Sequence, residues 1–293
     1  MSLRHRIFST NPFIPQIRCT LTIMPILLQF IIGFLLGALM GYVAWRVKAL
    51  SVSGAWAATV VGGLIFGLGG LSWAMLLLTF FISSSALSHT FSRRKANLSE
   101  KFAKGSQRDW AQVFANGGLG ALLVIVHVFF PEQLWPWLAY AGAMATVNAD
   151  TWATELGVLS KKLPRLITTG QVVDRGTSGG VTLLGTLATL AGAALIALVT
   201  GLFTPPVALS LFVISLAGLA GSLLDSLLGA TLQAIYECLH CATETERHPQ
   251  HTCGRETLLA HGWWWLNNDL VNFFSSIFGA VVAVGLWALF FPI

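Results

Sequence analysis

The segment Asn148–Glu155 (NADTWATE) places two carboxylates and several other polar groups inside a stretch that is otherwise apolar enough to cross a membrane. An ionisable group at membrane depth costs about 3 kcal/mol on insertion scales, so such groups usually line a wet cavity and carry function. At helical spacing Asn148, Thr151 and Glu155 share one face, and Asp150 lies beside it. The segment therefore predicts a polar cavity within a bundle of membrane helices.

Four further polar clusters lie at the ends of apolar segments or in the loops between them. Spacings of three and four residues put the helical members of a cluster on one face. The clusters are Arg108, Gln112 and Asn116; Arg165 with the turn Arg175–Gly180 (RGTSGG); Ser222, Asp225 and Ser226; and Asn267, Asn268, Asp269 and Asn272. We predict that they build one site, although an Asn, Ser or Thr can also serve only to join two membrane helices.

The acidic side chains are candidate catalytic groups and metal ligands. Carboxylates with amide and hydroxyl oxygens are the hard ligands that Mg²⁺ prefers, usually together with substrate phosphates. We therefore expect Mg²⁺ at a subset of these acids, and another of them to orient the reactants. The acids are Asp150, Glu155, Asp225 and Asp269.

The basic and glycine-rich positions are candidates for binding phosphate. Arg108, Arg165 and Arg175 carry forked donors that match phosphate oxygens. The turn Gly176–Gly180 is predicted to open the sixth apolar helix directly, where backbone N–H groups and the positive dipole end favour an anion. The full set expected to contact substrate or nucleotide is Gln112, Asn116, Asn148, Thr151, Arg165, Arg175, Gly176, Thr177, Ser178, Gly179, Gly180, Asn268 and Asn272. Such a set positions a phosphate donor and neutralises its charge, which is most of what phosphoryl transfer requires.

The composition is that of a membrane protein, with 55% hydrophobic and 10% charged residues among 293. A membrane-spanning helix needs about 20 mostly apolar residues. Eight segments qualify, and only Gly69 and Gly70 separate the second from the third; they cover residues 26–45, 50–69, 71–89, 111–130, 134–157, 180–201, 207–232 and 268–291. We predict an all-α bundle of about eight transmembrane helices, with a range of six to eight, in which residues 24–293 form a single domain and the loops form the site.

The basic residues of the loops predict the orientation. Alternation across eight spans leaves only Arg4, Arg6 and Arg18 on the side opposite the site. The positive-inside rule then makes the site side cytoplasmic. Residues 1–23 are expected to be a poorly ordered leader, and the compact loops favour a bacterial inner membrane. The net charge of +5 follows from this topology and from anionic lipid, and the sequence has no basic motif that predicts a nucleic-acid partner. Nothing in it indicates an oligomeric state.

Four long motifs resemble the signature of the phytyl-phosphate kinase family of polytopic membrane proteins, which includes a vertebrate transmembrane-protein branch. They are residues 148–160 (NADTWATELGVLS), 175–186 (RGTSGGVTLLGT), 225–233 (DSLLGATLQ) and 266–276 (LNNDLVNFFSS), with shorter likenesses at 112–117 (QVFANG) and 53–55 (SGA). The resemblance covers most of residues 26–291. It implies transfer of a phosphoryl group from CTP or another nucleoside triphosphate to phytyl phosphate or a related prenyl monophosphate, a step toward tocopherol or phylloquinone in phototrophs.

The loop 234–262 holds a second candidate metal site. A Cys-x₂-Cys pair followed by a His and a Cys offers the sulfur and nitrogen ligands of a closed tetrahedral zinc site. We expect structural Zn²⁺ at Cys238, Cys241, His251 and Cys253, with His240 and His248 as rival fourth ligands. The alternative is three reduced cysteines without a metal.

Two other functions compete with the kinase. A cytidylyltransferase would use the same metal and nucleotide groups to join CMP to a lipid phosphate, releasing pyrophosphate. A transporter would place its acids near the bilayer midplane and often shows inverted repeats. Here the acids crowd one end of the predicted bundle, and we find no convincing repeat.

Overall fold

The computed structural model describes residues 26–95, 101, 104 and 107–291. Within them lie seven helices: α1 Ile26–Arg46, α2 Val52–Lys95, α3 Trp110–Phe129, α4 Trp135–Gly157, α5 Leu183–Phe203, α6 Val207–Thr231 and α7 Asn268–Ala288. All except α4 are long and apolar enough to cross a membrane. The 23 residues of α4 extend about 34 Å, which also suffices. The predicted leader at 1–23 lies outside the described residues.

Helix α2 is a hairpin of two arms that reverses at Gly70, whose φ of 73° and ψ of −158° break the helix. Gly54, near the start of α2, abuts the backbone oxygen of Arg108. Ser88, near its end, donates a 2.7 Å hydrogen bond to Glu155, and Glu155 is close enough to Arg108 for their charges to attract. Both ends of α2 therefore lie at the same end of the bundle. The predicted bundle of about eight spans is confirmed, with the second and third spans joined in α2.

The bundle has a polar end and an apolar end. The polar end carries the connections between α1 and α2, α2 and α3, α4 and α5, and α6 and α7, and all Lys and Arg residues of the described ranges lie there. The apolar end carries Gly70 and the two remaining connections. Aromatic side chains pack at that end, where the Trp73 ring stacks on the Tyr140 ring with centroids 4.6 Å apart and the Trp137 Nε1 donates to Thr204.

Helix α4 is the centre of the bundle and contacts α2, α3, α5, α6 and α7. Its residues from Pro136 to Ala149 are all buried. Neighbouring helices approach it closely where their residues are small: Gly221 of α6 and Gly279 of α7 both face Thr146. Dispersion contacts between closely packed backbones hold membrane helices together, because lipid tails remove most of the hydrophobic driving force.

Two small sheets at the polar end were not predicted. Strands β1 Arg165–Leu166 and β2 Gly180–Val181 pair antiparallel. Strands β3 Ile235–Cys238, β4 Thr243–Thr245 and β5 Leu258–His261 form an antiparallel sheet in the order β4-β3-β5. The segment 234–262, predicted as a loop, therefore contains a three-stranded sheet, and the whole segment is called here the cap sheet. Its strands are too short for the alternation of polar and apolar residues to be recognised in the sequence.

The packing of α7 on α4 can be tested with two valine substitutions on one helix. A Cβ on Gly279 would overlap the Thr146 hydroxyl and lie 3.1 Å from the Gly142 carbonyl oxygen, whereas Gly285 has no neighbouring atom within 4 Å. We expect Gly279→Val to destabilise the protein by about 1–3 kcal/mol through overpacking and Gly285→Val to leave stability unchanged. Thermal unfolding in detergent measures both. Equal melting temperatures for the two variants would contradict the close approach of α7 to α4.

Candidate functional site

A cavity of about 840 Å³ opens at the polar end of the bundle. Its walls come from α2 to α7, from the turn before β2 and from the cap sheet. All the predicted acids line it: Asp150, Glu155, Asp225 and Asp269. So do most of the predicted substrate-binding residues, namely Gln112, Asn116, Thr151, Arg175, Gly176, Thr177, Ser178, Gly179, Gly180, Asn268 and Asn272. The structure thus brings residues far apart in sequence into one space.

Two of the predicted substrate contacts lie outside the cavity. Asn148 is fully buried, where its Oδ1 accepts hydrogen bonds from Ser83 at 3.0 Å and Ser84 at 3.2 Å, and its Nδ2 donates to the Gly192 oxygen at 2.8 Å. These hydrogen bonds join α4 to α2 and α5. Arg165 lies on exposed β1 and its Nη1 donates to the Gly170 oxygen at 2.8 Å, so the prediction that it lines the site with Arg175 is wrong.

Asp150 and Asp225 form an acidic pair in the cavity. Asp225 is buried on α6, and its Oδ2 accepts no hydrogen bond from the described residues. The charge of Asp150 on α4 is close enough to repel that of Asp225, and Glu246 adds to the repulsion. Two nearby carboxylates in a buried setting favour a cation between them. The pair is therefore the best candidate for a metal site among the four acids.

Glu155 and Asp269 have basic neighbours. Glu155 accepts the hydrogen bond of Ser88 and attracts Arg108. The Oδ2 of Asp269 lies 2.5 Å from the Nζ of Lys104. A carboxylate that already faces a fixed cation is less suited to hold a second one, so these two acids are weaker candidates for a metal site.

Lys104 lies between two carboxylates, 2.5 Å from Asp269 and 2.9 Å from Asp109. Burial lowers the pKa of Lys104, but the hydrogen bonds and charges of Asp269 and Asp109 outweigh burial, so that its pKa lies above the usual value. Lys104 therefore stays charged at neutral pH. The sequence indicated Lys104 only as one of many basic loop residues, because its partner Asp269 lies 165 residues away in the chain.

Arg108 directs a guanidinium group into the cavity wall. Its Nη1 is buried and has no hydrogen-bond partner among the described residues, and its guanidinium carbon lies 5.4 Å from the centroid of the Phe80 ring. Burial lowers the pKa of Arg108, while the charge of Glu155 opposes this effect; a guanidinium nevertheless remains protonated. A buried charged donor without a partner is costly, which makes Arg108 a candidate for binding an anion.

The glycine-rich turn takes a different position from the one predicted. Strand β2 and the N-cap residue Thr182, which accepts a hydrogen bond from the Gly185 N–H, separate the turn from α5. Gly179 has a φ of +75°, and a Cβ there would overlap Ala230 of α6. Ser178 donates to Gln233 at 3.1 Å. The turn is thus packed on the end of α6 as it lines the cavity, and the prediction that it opens the helix directly is wrong.

The cap sheet supplies cavity residues that sequence reasoning missed: Tyr236, Glu246 and His248. The Tyr236 and His248 rings stack with centroids 4.4 Å apart. Glu246 accepts a 2.8 Å hydrogen bond from the Nε2 of Gln233. Only the cysteines gave a recognisable signal in this segment, and they drew attention to a metal rather than to the cavity.

A bundle of membrane-spanning helices with an acid-lined cavity at one end defines a polytopic integral membrane protein. The chain belongs to the integral membrane protein DUF92 family, whose model matches residues 35–280. This match supports the family that the sequence motifs indicate.

Three relatives are similar over most of the chain. Protein PGR of Arabidopsis thaliana is 37% identical over 229 residues, which are 70% of this chain and 79% of the relative. An uncharacterized membrane protein of Methanocaldococcus jannaschii is 29% identical over 264 residues, 89% of this chain and 95% of the relative. Protein VTE6, chloroplastic, of Arabidopsis thaliana is 27% identical over 252 residues, 81% of this chain and 65% of the relative. No solved structure gives a significant match.

Substitution of two different arginines tests the candidate anion site, because Arg108 lines the cavity and Arg165 does not. We expect inorganic pyrophosphate with Mg²⁺ to raise the melting temperature of the wild type and of Arg165→Gln. In Arg108→Gln the affinity should fall about tenfold or more, since charge-assisted hydrogen bonds contribute about 1.5–3 kcal/mol. Melting curves at increasing pyrophosphate give the affinity of each variant. A shift lost in Arg165→Gln but kept in Arg108→Gln would contradict the placement of the site.

Proposed function

We propose that this protein is a membrane kinase that transfers a phosphoryl group from a nucleoside triphosphate, CTP above all, to phytyl phosphate or a related prenyl monophosphate. The observation that carries the proposal is the convergence of an acidic pair and the cations Arg108 and Lys104 in one cavity. The four long motifs that resemble the phytyl-phosphate kinase signature all contribute to its walls. The cavity volume falls within the range of about 300–1,000 Å³ that small-molecule sites occupy.

Asp150 and Asp225 are the residues proposed to hold Mg²⁺. The ion would neutralise charge on the donor phosphates and relieve the repulsion between the two carboxylates. Asn and Thr oxygens lie on the same walls, as at Asn116 and Thr151, and fit a hard cation or its bound waters. This donor set is unsuited to a soft metal.

The cations of the cavity would bind the phosphates of both reactants. Arg108 has an unused buried donor for a phosphate oxygen, and Lys104 has a charge that its raised pKa maintains. In the proposed reaction an oxygen of the prenyl monophosphate attacks the terminal phosphorus of the donor, and the bond from that phosphorus to the bridging oxygen breaks. The products are a prenyl diphosphate and a nucleoside diphosphate.

The attacking phosphate needs little help from a general base. Its second pKa is about 6, so it is largely a dianion at neutral pH. Positioning and charge neutralisation then remain the main tasks of the site. Glu155 and Asp269 would serve them by holding Arg108 and Lys104 in place, rather than by removing a proton.

We propose that the polar end faces the cytoplasm, as at a bacterial inner membrane. All Lys and Arg residues of the described ranges lie at that end, as the positive-inside rule requires of a cytoplasmic side. Soluble nucleotide would reach the cavity from there, while the prenyl chain would stay in the bilayer.

Aspartate substitutions test the proposed chemistry. We expect Asp150→Asn and Asp225→Asn to lower turnover at least about a hundredfold, because each removes half of the charge that would hold Mg²⁺. Asp174→Asn is the matched control, since the Asp174 side chain is 86% exposed and pairs only with Lys101 among the ion pairs described. Purified protein with Mg²⁺, CTP and phytyl phosphate gives the rate by mass spectrometry. Unchanged turnover in both cavity variants would refute the assignment, and a product that carries CMP would establish a cytidylyltransferase instead.

Trypsin tests the orientation, because it cleaves after Lys and Arg. In inside-out vesicles we expect cleavage in the connections of the polar end, for example after Arg247 and Arg255. In right-side-out vesicles only the segment up to Arg18 offers sites, so the protein should lose little mass. Cleavage of right-side-out vesicles into fragments of the bundle would contradict the proposed orientation.

A further inference from the structure

A cluster of sulfur and nitrogen atoms lies in the cap sheet, outside the cavity. The side-chain ligand atoms of Cys238, Cys241, His251 and Cys253 all lie within 4.8 Å of one another. We propose that these four residues hold a structural zinc ion that fixes the cap sheet as a wall of the cavity. The proposal rests on the geometry of the cap sheet and not on the proposed kinase activity.

The distances fit a tetrahedral metal. Zinc bonds of about 2.3 Å to sulfur and about 2.0 Å to nitrogen place neighbouring ligand atoms about 3.5–3.8 Å apart. The Sγ atoms of Cys238 and Cys253 are 3.6 Å apart, and the Nδ1 of His251 lies 3.4 Å from the Sγ of Cys253. Both sulfur atoms and the ring nitrogen therefore stand about where a common ion requires them.

Two tight turns bring the ligands together. The Cys241 N–H donates to the Cys238 oxygen at 3.2 Å, which closes the turn after β3. The Gly254 N–H donates to the His251 oxygen at 2.9 Å, which closes the second turn. Gly254 has a φ of +79°, a conformation that glycine adopts without strain. Each turn thus supplies two of the ligands.

The structure selects His251 among the three histidines considered as ligands, which are His240, His248 and His251. His251 is 3% exposed, and its Nε2 lies 3.5 Å from the Thr252 hydroxyl, which is the outer contact that orients a ligating imidazole. His240 is exposed and its Nδ1 lies 3.9 Å from Cys241. His248 stacks on Tyr236 and lines the cavity.

A disulfide does not account for the cluster. The Cys238 and Cys253 sulfurs are 3.6 Å apart, whereas a disulfide bond is about 2.05 Å long. With three thiols, one would remain unpaired after any disulfide formed. A site with three thiolates and an imidazole, in contrast, uses all four groups and leaves no position open for a substrate or water, as in structural zinc sites.

The position of the cluster gives the ion a role. It lies where β3, the turn to β4 and the segment before β5 meet. The cavity residues Tyr236, Glu246 and His248 extend from the same strands and turns. The cap sheet is small, and a metal is a common means of stabilising a structure with too little core of its own. Zinc would thus hold these side chains in the cavity wall.

Metal analysis of the purified full-length protein tests the proposal. We expect about one zinc ion per chain, and less than about a tenth of that in Cys238→Ser and Cys253→Ser. Cys19→Ser and His240→Ala are the controls and should keep the full zinc content. Wild-type protein without stoichiometric zinc, or full zinc content in both ligand variants, would overturn the proposal. Loss of zinc in His240→Ala with retention in His251→Ala would overturn the choice of histidine.

Two further measurements separate a zinc site from general misfolding. His251→Cys should retain zinc as a four-cysteine site, whereas His251→Ala should lose it. Chelation of zinc from the wild type should make Arg247 and Arg255 more sensitive to trypsin, while cleavage elsewhere in the bundle stays unchanged. If the cleavage pattern of the cap sheet does not change when zinc is removed, the ion does not fix this wall.

Discussion

The cavity depends on how closely five helices approach α4. This helix carries two carboxylates near its polar end, so it must be surrounded by protein and cannot face lipid along that part. Its neighbours can surround it because they carry glycine where they contact it. Gly221 and Gly279 lie against Thr146, and Gly192 lies against Asn148 and Trp152. The small residues therefore do more than pack the bundle. They set the distance at which acids from α4 and α6 come together.

Hydrogen bonds of buried polar groups also fix the rotation of α4 about its own axis. The carboxamide of Asn148 has partners on α2 and α5, through Ser83, Ser84 and the Gly192 oxygen. A rotation of α4 would leave these buried groups without partners, at a cost of about 1–3 kcal/mol each. With Asn148 held in this way, Asp150 and Glu155 point to the polar end on a defined face. A residue predicted to touch substrate thus positions the residues that line the cavity.

The sequence was sufficient for the helices and for most of the cavity. Apolar length predicted the spans, and spacing along α3, α4, α6 and α7 predicted which polar residues share a face, since both are local properties of a helix. The predictions from the sequence that failed concern contacts between segments that are distant in the chain. Arg165 and Arg175 look equivalent in the sequence, but Arg165 lies in β1, where it pairs with β2 and does not line the cavity, whereas Arg175 does. Lys104 acquires its role from Asp269, which lies 165 residues away.

The arrangement of charge along the bundle bears on the choice between an enzyme and a transporter. A transporter that alternates access needs its site near the middle of the membrane, so that either side can be closed. Here the apolar end is filled by the Trp73, Trp137 and Tyr140 rings, and the acids lie at the opposite end. A reaction between a bilayer-anchored phosphate and a soluble nucleotide requires such a place, because the prenyl chain stays in lipid while its phosphate meets water. The one-sided cavity therefore favours chemistry at the membrane surface over passage through it.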